Sequence, residues 1–202
     1  MNLAGLIVGL GNPGSEYAQT RHNAGFMVID RLLDRAGQLN SQVSAGQASR
    51  RNSLLWRCSL LPDSPPWLLL KPQTFMNSSG ESVRLVSAYF SIPVSEILVI
   101  HDEIDLPQGR MRFKTGGGDA GHNGLKSISN LLGTQEYHRL RLGIGRPANP
   151  DTIGWVLGRF SPADRELFDH VLDAAANCVL TYAKEGPKAA LVEANAFKPD
   201  GS

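Results

Sequence analysis

Apolar and polar positions alternate along this chain with two different periods, and the switches between them lay out its elements. Leu6-Ile7-Val8 sits in a strand predicted over residues 3–9. Between residues 21 and 36, Val28, Ile29, Leu32, Leu33 and Ala36 recur at three- and four-residue spacing. That period predicts an amphipathic helix with Gly37 as its stop. Residues 43–60 and 67–71 read as strands joined by a turn from Pro62 to Pro66. Ser78-Ser79-Gly80-Glu81 has the form of a capping box, and Val83, Val86 and Phe90 follow on one helical face. Ile97-Leu98-Val99-Ile100, within 96–101, is an apolar run short enough for a strand buried on both faces. Residues 110–114 alternate as a strand, and Gly116-Gly117-Gly118 is a loop. Asn123 reads as the N-cap of a helix holding Ile128, Leu131 and Leu132, with Gly133 closing it. Residues 138–144 alternate basic and apolar side chains as a half-buried strand does. Residues 162–184 predict the longest helix, and a short one follows Pro187. Strands alternating with helices make the fold class α/β. The expectation is a single domain over 1–202 with a mixed, mostly parallel central sheet flanked by helices. Its C-terminal helical part, about 162–195, packs on that sheet.

Composition narrows the class. The 202 residues suit one domain, and 42% hydrophobic against 19% charged residues supports a real core. No apolar stretch approaches the ~20 residues of a membrane span. No basic segment precedes the first apolar run, as it would in a secretory signal. Cys58 and Cys178 form no CxxC pair and read as reduced thiols. A cytoplasmic protein without membrane contact is expected. Net charge is only +1, but its distribution is uneven. Arg110, Arg112, Lys114, Lys126, Arg139, Arg141 and Arg146 face only Asp119 and Glu136 between residues 110 and 146. Such a segment binds phosphates, or is a solvated strand face.

Candidate chemistry concentrates after the first strand. Gly9-Leu10-Gly11-Asn12-Pro13-Gly14 matches GxGxxG, the dinucleotide-binding fingerprint. Pro13 removes an amide from that loop, and no acidic residue ends a second strand ~20 positions on, as the fingerprint requires. His22 falls at the start of the following helix, where the dipole favours neutral imidazole, the form a general base must have. Asp102 lies at the carboxyl end of an apolar strand, where open α/β sheets bind ligands. A carboxylate on one imidazole nitrogen leaves the other as acceptor, although the spacing does not show that Asp102 meets His22. Asn12, Asn77 and Asn123 each sit at a predicted helix start or glycine turn. Turn and cap chemistry explains each alone; together they offer donors and acceptors to a peptide-like ligand. No GxSxG, HExxH or Cys/His zinc spacing occurs. Asp102-Glu103-Asp105 is an acidic loop that has the composition for magnesium.

These segments together resemble the bacterial-type peptidyl-tRNA hydrolases. The resemblance is carried by Val8–Gly14, Thr20-Arg21-His22-Asn23-Ala24-Gly25, Lys71-Pro72-Gln73-Thr74-Phe75-Met76-Asn77-Ser78-Ser79-Gly80, His101–Pro107, Gly116–Gly118, Gly121-His122-Asn123-Gly124-Leu125 and Arg139–Gly145, in the family's order. It implies cleavage of the ester between a peptide and the 3′-terminal ribose of tRNA, with no cofactor and no metal. It implies His22 as the base, Asp102 as its support, and Asn12 as the group that separates N-blocked from free aminoacyl-tRNA. Tyr17, Phe75, Asn77 and Asn123 would line the site for the 3′ CCA end and the peptide. Lys114 and Arg141 would clamp the tRNA 5′ phosphate at the acceptor stem. A monomer is expected, since nothing in the pattern demands a partner chain. Asp119 departs from the family by placing a negative charge in the glycine loop. A nicotinamide enzyme and a catalytically silent RNA-binding module are the alternatives that the glycine loop and the basic segment leave open.

Overall fold

Leu68-Leu69-Leu70 and Ile97-Leu98-Val99-Ile100 are buried throughout, which requires helices on both faces of the strands that hold them. They belong to the middle of the sheet. The computed structural model describes residues 2–38, 44–45, 52–148 and 150–199. Its strands are β1 Gly5–Gly9, β2 Ser44–Ala45, β3 Ser53–Cys58, β4 Trp67–Pro72, β5 Ile97–Glu103, β6 Met111–Thr115 and β7 His138–Gly143. They form one seven-stranded sheet in the order β2-β3-β4-β1-β5-β7-β6. The central four, β4, β1, β5 and β7, run parallel, and β3 and β6 run antiparallel beside them. The helices are α1 Ala24–Gln38, α2 Ser79–Tyr89, α3 Asn123–Leu132, α4 Thr152–Leu157, α5 Pro162–Glu185 and α6 Pro187–Ala196.

The alternation of side chains along the strands splits the core in two. Ile7, Leu69, Leu98 and Ile100 pack with Val28, Ile29 and Leu32 of α1 and with Phe168, Val171 and Leu172 of α5. Leu6, Val8, Leu68, Leu70, Ile97 and Val99 pack with Val83 and Val86 of α2 and Leu125 and Ile128 of α3. This is the mixed α/β sheet the sequence predicts. The C-terminal helices close one face: Arg31 of α1 pairs with Asp169 and Asp173 of α5, and the Tyr182 ring meets Trp67 and Phe113.

Several local expectations are corrected. The first strand begins at Gly5, because Leu3 and Ala4 precede its pairing to β4. Of the strand expected over 43–60, the described residues form β2 and β3; residue 43 and residues 46–51 lie outside the described residues. The expected helix from residue 21 starts with a 3₁₀ turn at Arg21–Asn23 and becomes α-helical at Ala24. The Ser78 box does not form, since Ser78 makes no side-chain cap bond. The Gly80 amide instead donates to Ser127 Oγ of α3, so a neighbouring helix replaces the local cap. Asn123 is not the N-cap of α3. That position is His122, in an extended conformation with its ring accepting from two amides. Helix α4 has no sequence precursor among the predicted elements; six residues are too few for a helical period to show.

Glycine packing sets the site's geometry. A Cβ on Gly9 would fall on the Gly25 carbonyl. One on Gly25 would fall on the Ile100 carbonyl and the Leu10 amide. Only bare backbone lets the first turn of α1 lie directly on the ends of β1 and β5. That contact carries the preceding turn, with His22, to the carboxyl end of β5.

Candidate active site

Asp102 is the penultimate residue of the buried strand β5 and is 2% exposed. A carboxylate buried this deeply needs partners, and it has two. His22 Nδ1 lies 2.9 and 3.0 Å from its two oxygens, and His122 Nε2 lies 3.0 Å from Oδ1. The His122 tautomer follows from the backbone. Its Nδ1 accepts from the amides of Gly124 and Leu125 at 3.2 and 3.4 Å, so its proton sits on Nε2 and is donated to Asp102. His22 likewise donates from Nδ1, which leaves its Nε2 as a lone-pair acceptor. The three rings of His22, His122 and His101 form a row with centroid spacings of 5.0 Å.

The electrostatics follow from this geometry. Burial alone would raise the Asp102 carboxyl, but the charges and N–H donors of His22 and His122 outweigh it and hold it far below the usual carboxylate range. Burial alone would lower the His22 imidazole, but the Asp102 carboxylate outweighs it by charge and hydrogen bond and leaves it raised. His101 is different. Burial and the neighbouring His122 push it well down, and its Nδ1 bonds the Asp102 carbonyl at 2.7 Å.

Asn12 is tied to the same turn. The Asn23 side chain accepts from the Asn12 amide at 2.9 Å and donates to the Asn12 carbonyl at 3.0 Å. Asn12 Oδ1 accepts from the Met76 amide at 2.8 Å. Asn12 Nδ2 is then its one polar group without a partner among the described residues. These bonds also settle the glycine loop. The Leu10 amide donates to Ile100 and the Asn12 amide to Asn23, so two of the loop's donors are spent inside the fold. With Pro13 lacking an amide, the row of amides that a pyrophosphate would need is interrupted.

Phe75 and Asn77 flank Met76 and are exposed, and the Tyr17 ring meets Phe75 edge-on at 6.5 Å. Asn123 opens α3 beside His122. His22, Asp102, His122 and Asn123 line one cavity of about 140 Å³, which Ile153 and Val156 of α4 also line. The site residues expected from the sequence thus fall in two groups. His22, Asp102, Asn12, Asn123, Tyr17, Phe75 and Asn77 gather where β1, β4 and β5 end. Lys114 and Arg141 form the second group, on β6 and β7, where Arg141 bonds Glu103 at the cavity's edge.

The basic segment is less uniform than its composition. Arg139 is fully buried and donates to the carbonyls of Gly117 and Gly118 at 2.5 and 2.6 Å. Arg146 pairs with Asp105, and Arg110 and Arg112 bond carbonyls of the C-terminal segment. Arg141 pairs with Glu103 at 3.0 Å. Lys114 makes no ion pair among the described residues. Burial lowers its ammonium, the like charges of Arg139 and Arg141 lower it further, and Glu103 only partly offsets them.

Sequence reasoning missed three residues. His122 carries both a cap and a bond to Asp102; its place before Gly124 in the expected helix start was the available signal. Asn23 clamps Asn12. Arg21 stacks its guanidinium 3.7 Å from the Trp155 ring and so fixes α4 against the site. Nothing local marks that contact, which spans 134 residues.

Among the described residues, His22, Asp102 and His122 are the group whose ligand atoms come close enough for a metal, within 4.8 Å of one another. Their distances are those of direct hydrogen bonds, with each facing nitrogen bearing a proton. The other carboxylates of the acidic loop are engaged in ion pairs, Glu103 with Arg141 and Asp105 with Arg146.

An imidazole held by a buried carboxylate, with its free nitrogen at a cavity on the carboxyl edge of an α/β sheet, is the equipment of a general-base hydrolase. Residues 6–201 match the family profile of peptidyl-tRNA hydrolase. A peptidyl-tRNA hydrolase of Nitratidesulfovibrio vulgaris (strain Miyazaki F) is 54% identical over 205 residues, covering 99% of this chain and 100% of its own. One of Lawsonia intracellularis is 41% identical, covering 98% and 96%. The crystal structure of peptidyl-tRNA hydrolase from Acinetobacter baumannii superposes with a TM-score of 0.88 at 39% identity, covering 98% of this chain and 99% of that one. The chain belongs to the peptidyl-tRNA hydrolase family.

Proposed function

We propose that this chain hydrolyses peptidyl-tRNA at the ester joining the peptide to the 3′-terminal ribose, with His22 as general base. The observation that carries this reading is the His22–Asp102 pair. In it, Nε2 of His22 takes a proton from water, the water oxygen attacks the ester carbonyl, and as the C–O bond to the ribose breaks the imidazolium returns that proton to the departing ribose oxygen. The ribose alkoxide is a better leaving group than an amide nitrogen, so activated water suffices without a serine or cysteine nucleophile. Asp102 fixes the tautomer and stabilises the imidazolium that forms. The free Asn12 Nδ2 is a donor suited to the peptide beside the ester, where an N-blocked amide and a free ammonium differ in charge. Asn77 and Asn123 offer further donors and acceptors. Tyr17 and Phe75 supply aromatic faces for the bases of the CCA end.

Lys114 and Arg141 are read as the phosphate contact. A cation without an ion pair, set beside two others, is stabilised by an anion placed among them. The Lys114→Ala variant is expected to bind tRNA more weakly at low salt. The slope of log affinity against log salt is expected to flatten by roughly one. Filter binding across a salt series measures it, and an unchanged slope removes Lys114 from the phosphate site. Among the described residues no helix is long and apolar enough to cross a membrane, in keeping with a substrate in the translation compartment. We read 1–202 as one α/β unit acting as a monomer, since α5 and α6 complete the core beneath the sheet.

The experiment that tests the reading offers N-acetyl-aminoacyl-tRNA and free aminoacyl-tRNA side by side, with EDTA present. Release from the blocked substrate alone is the expected result. No release from either overturns it. A silent RNA-binding module would bind both and turn over neither.

A further inference from the structure

Glu103 is a buried carboxylate that the chemistry above does not use. It follows Asp102 on β5 and is 5% exposed. Side chains alternate along a strand, so these two acids project to opposite sides of the sheet. Asp102 serves His22. Glu103 shares the side of Val99, where α2 and α3 pack. Arg139 and Arg141 of β7 lie on that side too, in register with Val99 and His101. Arg112 and Lys114 of β6 stand directly opposite Arg141 and Arg139.

Two like-charged pairs thus face each other across neighbouring strands, which costs stability unless anions are set among them. Arg139 is spent on the carbonyls of Gly117 and Gly118, and Arg112 on that of Asn195. The Lys114 ammonium lies over the same glycine loop, so that a Cβ on Gly117 would fall 2.8 Å from its Nζ. Glu103 bonds Arg141, and its charge also acts on the Lys114 ammonium. Oε2 of Glu103 accepts from both Nε and Nη2 of Arg141 at 3.0 Å. Its Oε1 accepts from the Asp105 amide at 3.1 Å. A carboxylate anchored to backbone therefore grips one edge of the guanidinium fork. Nη1, on the other edge, makes no hydrogen bond among the described residues.

We propose that Glu103 is a positioning residue for the phosphate contact. It fixes the guanidinium of Arg141 so that the free edge, together with Lys114, meets the 5′ phosphate of the tRNA. The inference rests on the phosphate reading proposed above. Consecutive residues of β5 then serve both ends of the acceptor stem, Asp102 orienting the base at the 3′ ester and Glu103 orienting the cation at the 5′ phosphate. The opposite role, a carboxylate that competes with phosphate for Arg141, predicts the opposite sign.

The test measures kcat/KM on N-acetyl-aminoacyl-tRNA with its 5′ phosphate and on the same tRNA after phosphatase has removed it. The parent is expected to prefer the phosphorylated substrate. In Glu103→Gln the carboxamide has one acceptor oxygen and cannot serve both Arg141 and the Asp105 amide. The ratio of the two kcat/KM values is expected to fall about tenfold, the size of one charge-assisted bond, with the loss in KM rather than kcat. Unlike Lys114→Ala, this variant keeps every cation, so the salt slope of tRNA binding is not expected to flatten. Arg141→Lys keeps the charge and loses the fork. It is expected to lower the same ratio with a thermal melt matching the parent, and it decides the matter if Glu103→Gln does not fold. A ratio that rises in Glu103→Gln overturns the proposal, as does a ratio that either variant leaves unmoved. So does a Glu103→Gln variant whose kcat falls equally on both substrates, since the effect then runs through Asp102. A parent indifferent to the 5′ phosphate overturns the phosphate reading with it. A parent inactive on both substrates overturns the function reading itself, so the three failures are distinct.

Discussion

Replacing His22 with alanine is expected to lower kcat by ~10²–10⁴-fold, the range of a positioned general base, while tRNA binding persists. The split follows from the two groups of residues. His22 lies 9% exposed on the wall of its cavity, with one nitrogen spent on Asp102. Its other nitrogen faces the space where water and ester would meet. The cations Lys114 and Arg141 lie on β6 and β7, and neither bonds the imidazole, so the proposed phosphate contact is not built on it. Single-turnover release of N-acetyl-aminoacyl-tRNA measures the first effect, and filter binding measures the second. Near-parental release in the alanine variant would remove His22 from the mechanism. Loss of both release and binding would show that the ring is needed for folding instead, since alanine would leave the buried Asp102 with one donor fewer.

The residues differ in how far their sequence context exposed them. The fold was legible because its strands announce themselves. Leu68–Leu70 and Ile97–Ile100 are continuous apolar runs, and α1 and α3 carry clean helical periods. His22 and Asp102 were legible one at a time, as a histidine at a helix start and a carboxylate at a strand end. Their contact was not, because 80 residues separate them and the register is set by tertiary packing. What brings them together is Gly25 lying on the Ile100 carbonyl, and a glycine in a sequence does not say which backbone it will touch. His122 was hidden for another reason. Asparagine and serine are the usual cap residues, so Asn123 drew the assignment, yet the ring one position earlier caps the helix and bonds Asp102 at once. Arg139 shows the limit of charge counting. It adds to the basic segment in sequence but is wholly buried, where it holds the carbonyls of the glycine loop rather than a phosphate.

Substituting asparagine for Asp102 is expected to cost a comparable ~10²–10⁴-fold in kcat and to move the pH profile in a defined direction. In the parent, the imidazole is raised above its ordinary value because the carboxylate stabilises its protonated form. A base works only when unprotonated, so kcat/KM should fall as pH drops through that raised value. The acidic limb therefore sits above the position of a free imidazole. Asparagine removes the negative charge while burial remains, and burial favours the uncharged ring. The limb should then shift to lower pH even as the plateau collapses. The plateau falls for a separate reason. The asparagine amide can donate to Nδ1, which puts the imidazole proton on Nε2 and blocks the nitrogen that must accept from water. His122 sharpens the expectation. Its Nε2–H needs an acceptor, so it favours turning the asparagine oxygen toward itself and the amide toward His22. The observation to make is kcat/KM for N-acetyl-aminoacyl-tRNA from acid to neutral pH in both proteins. A variant with the parent's acidic limb would mean that Asp102 does not set the ionisation of His22, and its role would reduce to packing.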